Sequence, residues 1–128
     1  MKSDIISDAL NMIMNSKKVE KTEVRVNRIS KFLINLLQMM KDQKYIDFKV
    51  EEEIDGKPFV NIKILKLNVC KAVKPRYSVT TERVDRYLRR YLPSRNFGTL
   101  VLSTNKGLMT HEEASKNNLG GSLIAYFY

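Results

Sequence analysis

The sequence is poor in the groups that carry covalent chemistry. Its 128 residues include one cysteine, Cys70, one histidine, His111, and no tryptophan. A single thiol cannot close an intramolecular disulfide, and in a basic chain it is most simply a small buried apolar residue. No cluster of His, Cys, Asp and Glu has the ligand spacing of a zinc site, so neither a metal nor a cofactor is expected. Asn105-Lys106-Gly107 has the look of a phosphate loop, yet the G-x-x-x-x-G-K-[ST] spelling that would support nucleotide hydrolysis is missing. Long apolar runs are missing too. Phe32 to Leu37 and Leu123 to Tyr128 fall far short of the ~20 residues that a spanning helix needs, so no membrane association is expected. The opening Met1-Lys2-Ser3-Asp4 leads into an amphipathic segment without the apolar stretch and cleavage site of a secretory signal, which points to a cytosolic or nuclear location.

Acidic residues are also scarce: 14 Asp and Glu face 23 Lys and Arg, for a net charge of +9 at pH 7. With 43% hydrophobic residues the chain is not simply disordered. Its length allows one core or two small abutting ones and excludes a large multidomain enzyme. A surplus of positive charge weakens a compact state by self-repulsion unless anions neutralise it, so the composition asks for a polyanionic partner.

The apolar spacing predicts mixed α and β structure. Ser3 is a candidate N-cap for a helix over about 4–14, with Ile6, Ala9, Leu10 and Ile13 on one face. Asn15 lies on its polar face, and Ser16-Lys17-Lys18 forms a basic exit able to touch phosphates; a merely solvated face is the alternative. Val24 and Val26 alternate with Glu23 and Arg25 as a short strand. Asn27 is the expected cap of a second helix, whose Ile29, Phe32, Leu33, Leu36, Leu37 and Met40 make the strongest amphipathic pattern in the chain. Ser30 and Lys31 would then sit in its first turn, where free backbone N–H groups attract anions. Ile46, Phe48 and Val50, then Val60, Ile62 and Ile64, alternate about Asp55-Gly56 as a β-hairpin. The acidic run Glu51-Glu52-Glu53 near its tip would repel nucleic acid, which places the tip away from RNA or against a basic neighbour.

Beyond Asn68 the charge shifts. Residues 1–70 hold 13 basic and 10 acidic groups, and residues 71–128 hold 10 and 4. Two domains are expected, an N-terminal α-β-α-β-β unit over 1–67 and a mainly β unit with short helices over 68–128. In the second, Lys74-Pro75-Arg76 turns into a strand over Tyr77 to Val79. Thr81 is the expected cap of a helix that buries Val84, Tyr87, Leu88 and Tyr91 and turns Arg83, Arg86 and Arg90 outward, with Arg89 nearby. Arginines with interleaved tyrosines can read RNA, but this spacing assigns the tyrosines to the core first. After Pro93, a strand over Thr99 to Ser103 leads to Thr104-Asn105-Lys106-Gly107. Thr110-His111-Glu112-Glu113 spells a capping box for a helix over about 111–117, which Gly120-Gly121 would stop before a last strand from Ser122.

Ser103, Thr104 and Asn105 offer donors and acceptors to nucleotide edges and 2′-hydroxyls, while Gly107, Gly120 and Gly121 allow backbone to approach backbone. Plain turn chemistry is the alternative for the double glycine. From residue 96 onward only two Lys and two Glu are present, so this loop must borrow charge from Lys71, Lys74, Arg76 and Arg95. His111 falls in a helix first turn, where the dipole disfavours imidazolium and a side chain is usually exposed, which argues against a catalytic role.

At these residues the chain resembles a known family. Ser103 to Ala114, followed by Gly120-Gly121 and an apolar terminal strand, is similar to the signature of ribosomal protein eight of the small subunit. Leu92-Pro93-Ser94-Arg95-Asn96-Phe97-Gly98 resembles its archaeal and eukaryotic branch, called the fifteen-a protein in eukaryotes, and Asp8-Ala9-Leu10-Asn11 and Ser30-Lys31 also match. Asn105 stands where the family commonly has Ser, and Ser122 where it often has a charged residue.

The resemblance implies a two-domain α/β protein without enzymatic activity or homo-oligomers. It would bind a helical element in the central domain of small-subunit rRNA, among neighbouring ribosomal proteins, on cytoplasmic ribosomes, with nucleolar assembly in a eukaryote. Ser103, Thr104, Asn105 and Gly107 would contact the RNA helix, Gly120 and Gly121 would shape the adjoining surface, and further contacts would lie near Ser30-Lys31 and Lys74-Pro75-Arg76. An RNA-processing enzyme on a similar basic scaffold, which would need turnover through His111, is the alternative; a basic adapter of proteins is a third.

Overall fold

A computed structural model describes residues 4–94 and 97–128, which divide into two compact units, Met1–Cys70 and Lys71–Tyr128. Both combine helices with antiparallel sheet, the α+β class expected.

In the first unit, α1 (Ile5–Lys18) and α2 (Lys31–Asp42) pack on a sheet of β1 (Glu23–Val26), β2 (Ile46–Glu52) and β3 (Pro58–Ile64), in the order β1-β3-β2. The pairs Val24↔Ile62 and Val26↔Val60 put the alternating apolar residues of neighbouring strands on one face. Against it lie Ile6, Leu10 and Ile13 of α1 and Leu33, Leu36, Leu37 and Met40 of α2, all buried. Each such side chain contributes roughly 1.5–3 kcal/mol of burial free energy.

The helix boundaries differ from the expected ones for local reasons. Asp4 caps α1, its carboxylate accepting from Ile6 N–H at 3.0 Å; Ser3 lies outside the described residues. The helix continues to Lys18 because Lys17 and Lys18 suit the negative end of its dipole. Its end is a Schellman closure, with Glu20 at φ +61°, Glu20 N–H donating to Lys17 O and Lys21 N–H to Ser16 O. Asn27 does not cap α2, since its side-chain oxygen accepts from Arg25 Nε at 3.0 Å; Ser30 is the cap, its hydroxyl accepting from Leu33 N–H at 3.1 Å.

The second unit is built on β8 (Gly121–Phe127). On one edge β8 pairs with β6 (Thr99–Thr104), which pairs in turn with β7 (Gly107–Thr110). Its other edge takes two short strands, β4 (Cys70–Ala72) and β5 (Ser78–Val79), so Lys74-Pro75-Arg76 loops out between them. Thr81 does not cap: it opens a 3-10 turn, Thr81–Arg83, that leads into α3 (Val84–Tyr91). Val84 and Leu88 of α3 join Leu92, Leu100, Leu102 and Leu123 in the core, with Tyr77, Tyr87, Tyr91, Tyr126 and Tyr128 packed around it half-buried. Helix α4 (His111–Lys116) has the expected cap, Thr110 Oγ1 accepting from Glu113 N–H at 3.2 Å. Its stop is not the double glycine but Asn118, at φ +54°, with Leu119 N–H donating to Ala114 O.

Candidate nucleic-acid interface

The expected recognition loop is a two-residue hairpin turn. Thr104 pairs with Gly107 across β6 and β7, leaving Asn105 and Lys106 exposed at the tip. The Thr104 hydroxyl donates to Gly107 O at 2.9 Å and accepts from Lys106 N–H at 3.2 Å, so it closes the turn. Gly107 has φ +108°, a conformation that a side chain would strain. Asn105 is exposed, and its side chain makes no hydrogen bond among the described residues.

The double glycine answers to crowding instead of turn geometry, because neither residue has positive φ. A Cβ on Gly121 would run into the Ser103 carbonyl and lie 3.3 Å from Thr104 Cα; one on Gly120 would lie 2.5 Å from Val79 O. Glycine thus lets β8 pass between β5 and the end of β6. The close passage aligns three serines that the sequence had not joined: Ser78 pairs with Ser122, and Ser122 with Ser103. Direct cross-strand partners share a face, so these hydroxyls form one row on β5, β8 and β6 beside the hairpin. None of the three side chains is hydrogen-bonded among the described residues. Ser78 and Ser122 are not among the residues expected from the sequence; their only signal there is alternation, each preceding a buried residue, Val79 and Leu123.

Lys74 and Arg76 are exposed on the loop that leaves the β8 edge just before Ser78. Arg95, expected to add charge there, lies outside the described residues. In the first unit the candidates disperse. Asn15 lines a groove with Asp8, Asn11 and Arg28, whereas Lys17 lines another with Lys21, Lys66 and Asn68. Two residues apart on a helix, they do not share a face. Lys31 is exposed at the start of α2, and Ser30 is engaged as its cap. The acidic hairpin tip has its own basic neighbours: Glu53 pairs with Arg25, and Glu51 with Lys49 at 3.8 Å.

His111 corrects an expectation. It is not exposed but buried, with 7% of its surface accessible, and its Nδ1 accepts from Leu100 N–H at 3.1 Å. Burial lowers its pKa below the usual histidine value, while the nearby Glu112 and Asp85 carboxylates pull the other way. The imidazole is a neutral acceptor that ties α4 to β6. Cys70 is buried as expected, its Sγ 3.7 Å from Leu10 O, and burial pushes its thiol up to about 12. Neither group is poised for covalent chemistry.

The family model described as ribosomal protein S8 matches residues 4–128. The chain is 41% identical over 130 residues to the small ribosomal subunit protein uS8 of Picrophilus torridus and 38% identical over 129 residues to that of Thermoplasma acidophilum, in each case over 100% of both chains. To uS8 of Methanococcoides burtonii it is 40% identical over 128 residues, covering 98% of this chain and 97% of the relative. The match runs through both units, from the Asp4 cap to the terminal strand, and the chain therefore belongs to the ribosomal protein S8 family.

Proposed function

We propose that this chain is a structural constituent of the small ribosomal subunit and binds small-subunit rRNA through the Asn105-Lys106 hairpin tip and the serine row of Ser78, Ser122 and Ser103. The observation that carries this site is the row itself: three free hydroxyls held in register beside the exposed Asn105. Each hydroxyl can donate and accept, which suits 2′-hydroxyls and base edges in the shallow groove of an RNA helix. Glycine at 107, 120 and 121 keeps side chains out of that approach. Lys74, Arg76, Lys106 and Arg95 supply phosphate attraction, and Lys31, Ser30, Asn15 and Lys17 of the first unit add weaker contacts. The protein works at cytoplasmic ribosomes as a single copy, among neighbouring ribosomal proteins, with nucleolar assembly if the source is eukaryotic. It is not an enzyme: the family is structural, and a buried, neutral His111 has no part in turnover.

Titration of small-subunit rRNA with wild type, Asn105→Ala and Ser122→Ala tests the site. Each variant should bind more weakly by about 1–3 kcal/mol while melting like the wild type. Equal affinity for all three would remove the hairpin and serine row as the RNA site. Saturating RNA should also raise the melting temperature, because it binds only the folded chain.

A further inference from the structure

The arginines of α3 and of the 3-10 turn that leads into it are left unused by the hairpin site. Arg83, Arg86 and Arg90 recur at helical spacing on one face, with Arg89 adjacent, and all four are exposed. Arg83, Arg86 and Arg89 make no ion pair among the described residues. Like charges three and four residues apart repel on a helix, so a face of this kind favours a partner that supplies anions. The helix is also held firmly. Val84 and Leu88 are buried, and Tyr87 meets Tyr77 in a tilted contact at 5.9 Å and stacks on Tyr91 at 6.5 Å, which continues to Tyr126 at 5.1 Å. The Arg90 guanidinium lies 5.6 Å from the Tyr91 ring centre. Arginines anchored by a rigid aromatic layer lose less freedom on meeting phosphate, whose geometry matches the guanidinium fork.

The topology separates this face from the hairpin site. Leu102 and Leu123 point to the side of the sheet on which α3 packs, whereas Ser103 and Ser122, next along each strand, point to the other. Sheet and helix together set the two surfaces on the order of 15 Å apart or more. We infer that the arginine face of α3 is a second RNA-binding surface, holding phosphates of an rRNA segment other than the one at the hairpin. This rests on the rRNA-binding reading above and extends it from one contact to a bridge between two RNA elements.

Tethered cleavage tests it. The variants Asn105→Cys and Arg86→Cys each carry one accessible thiol, since Cys70 is buried and stays unlabelled. An iron chelate on each, with full-length small-subunit rRNA, should cut two distinct sets of nucleotides. Cutting from Asn105→Cys alone, or the same nucleotides from both, would overturn the second surface and leave the first standing. No cutting from either, with no binding by wild type, would overturn both. Independently, Arg83→Gln/Arg86→Gln/Arg90→Gln should flatten the salt dependence of binding to the same RNA by about two to three units of slope. A slope equal to that of wild type contradicts the inference.

Discussion

The two units carry their charge differently. Up to Cys70 the chain has 13 basic and 10 acidic residues, and the acids sit beside bases: Arg28 with Asp8 at 3.2 Å, Lys41 with Asp47 at 3.3 Å, Arg25 with Glu53 over the Phe59 ring. Beyond it, 10 basic residues meet 4 acidic ones, and Arg83, just before α3, and Arg86 and Arg89 within it have no ion-pair partner among the described residues. Exposed pairs contribute only about 0–1 kcal/mol each, so those of the first unit do not hold it together; they neutralise it. The second unit leaves its field open to an external anion. Net charge alone had pointed to a polyanion, and its distribution says which unit faces it.

The glycines give the sharpest break in that comparison. Gly121→Ala sets a Cβ against the Ser103 carbonyl between paired strands and should destabilise by about 1–3 kcal/mol in urea unfolding, moving the serine row with it. Gly56→Ala, in the first unit's hairpin at φ +86° with open space around it, should cost about 1 kcal/mol and leave RNA affinity intact. If Gly56→Ala weakened RNA binding as much as Gly121→Ala, the acidic hairpin would belong to the interface. Serines make the next contrast. Ser30→Ala removes a cap from α2 and should lower stability by about 1 kcal/mol, whereas Ser122→Ala, with no hydroxyl partner, should leave it within roughly 0.5 kcal/mol and act on RNA affinity alone.

That contrast also shows what periodicity can and cannot carry. The apolar stripes of α1 and α2 and the alternation of β2 and β3 are local patterns, and most of the core they predict is buried; Ile29, Phe32, Phe48 and Ile64 are only half-buried, and Val50, near the hairpin tip, is exposed. Helix ends were harder to read. Glu20, Lys44 and Asn118 take left-handed conformations without being glycine, because Schellman closures satisfy the last carbonyls and offset the steric cost. Strand β7 went unseen, since Gly107-Leu108-Met109-Thr110 is too short to show a period, and its pairing with β6 is what makes a tight turn of an expected loop. The hairpin residues of the proposed site stand out in the sequence by their chemistry. The serine row does not, because Ser78, Ser103 and Ser122 meet only through strand register, a long-range property that no window of sequence contains. His111 was misplaced for the same reason: its position in a helix first turn suggested solvent, and the packing of α4 on β6 buries it.

The buried histidine supplies a contrast in pH. Its folded pKa is lowered by burial, so below the unfolded value of about 6.5 the unfolded chain binds more protons than the folded one. Its contribution to stability is complete above that pH and declines as pH falls toward the lowered folded value. His111 is the only histidine, so a loss of stability as pH falls below about 6.5, before carboxylates protonate, should come from the second unit. The variant His111→Asn, which keeps an acceptor for Leu100 N–H and does not titrate, should flatten the melting temperature over that range. A slope that survives in the variant would move its cause to other groups.

The smallest effects close the comparison. Lys41 and Asp47 are exposed and 3.3 Å apart, so a double-mutant cycle with Lys41→Gln and Asp47→Asn should give a coupling of about 0.2–1 kcal/mol that shrinks with added salt. Lys41 already faces an acid and should leave the salt dependence of RNA binding as it is. Lys74, exposed beside the serine row with no partner among the described residues, should lower that slope by about 0.7–0.9 when changed to Gln, the release of one counterion from phosphate. Paired charge then acts within the protein and unpaired charge on the RNA. Equal slope changes for Lys41→Gln and Lys74→Gln would mean that RNA samples both units as a diffuse field, and the division between a neutralised unit and an open one would lose its functional meaning.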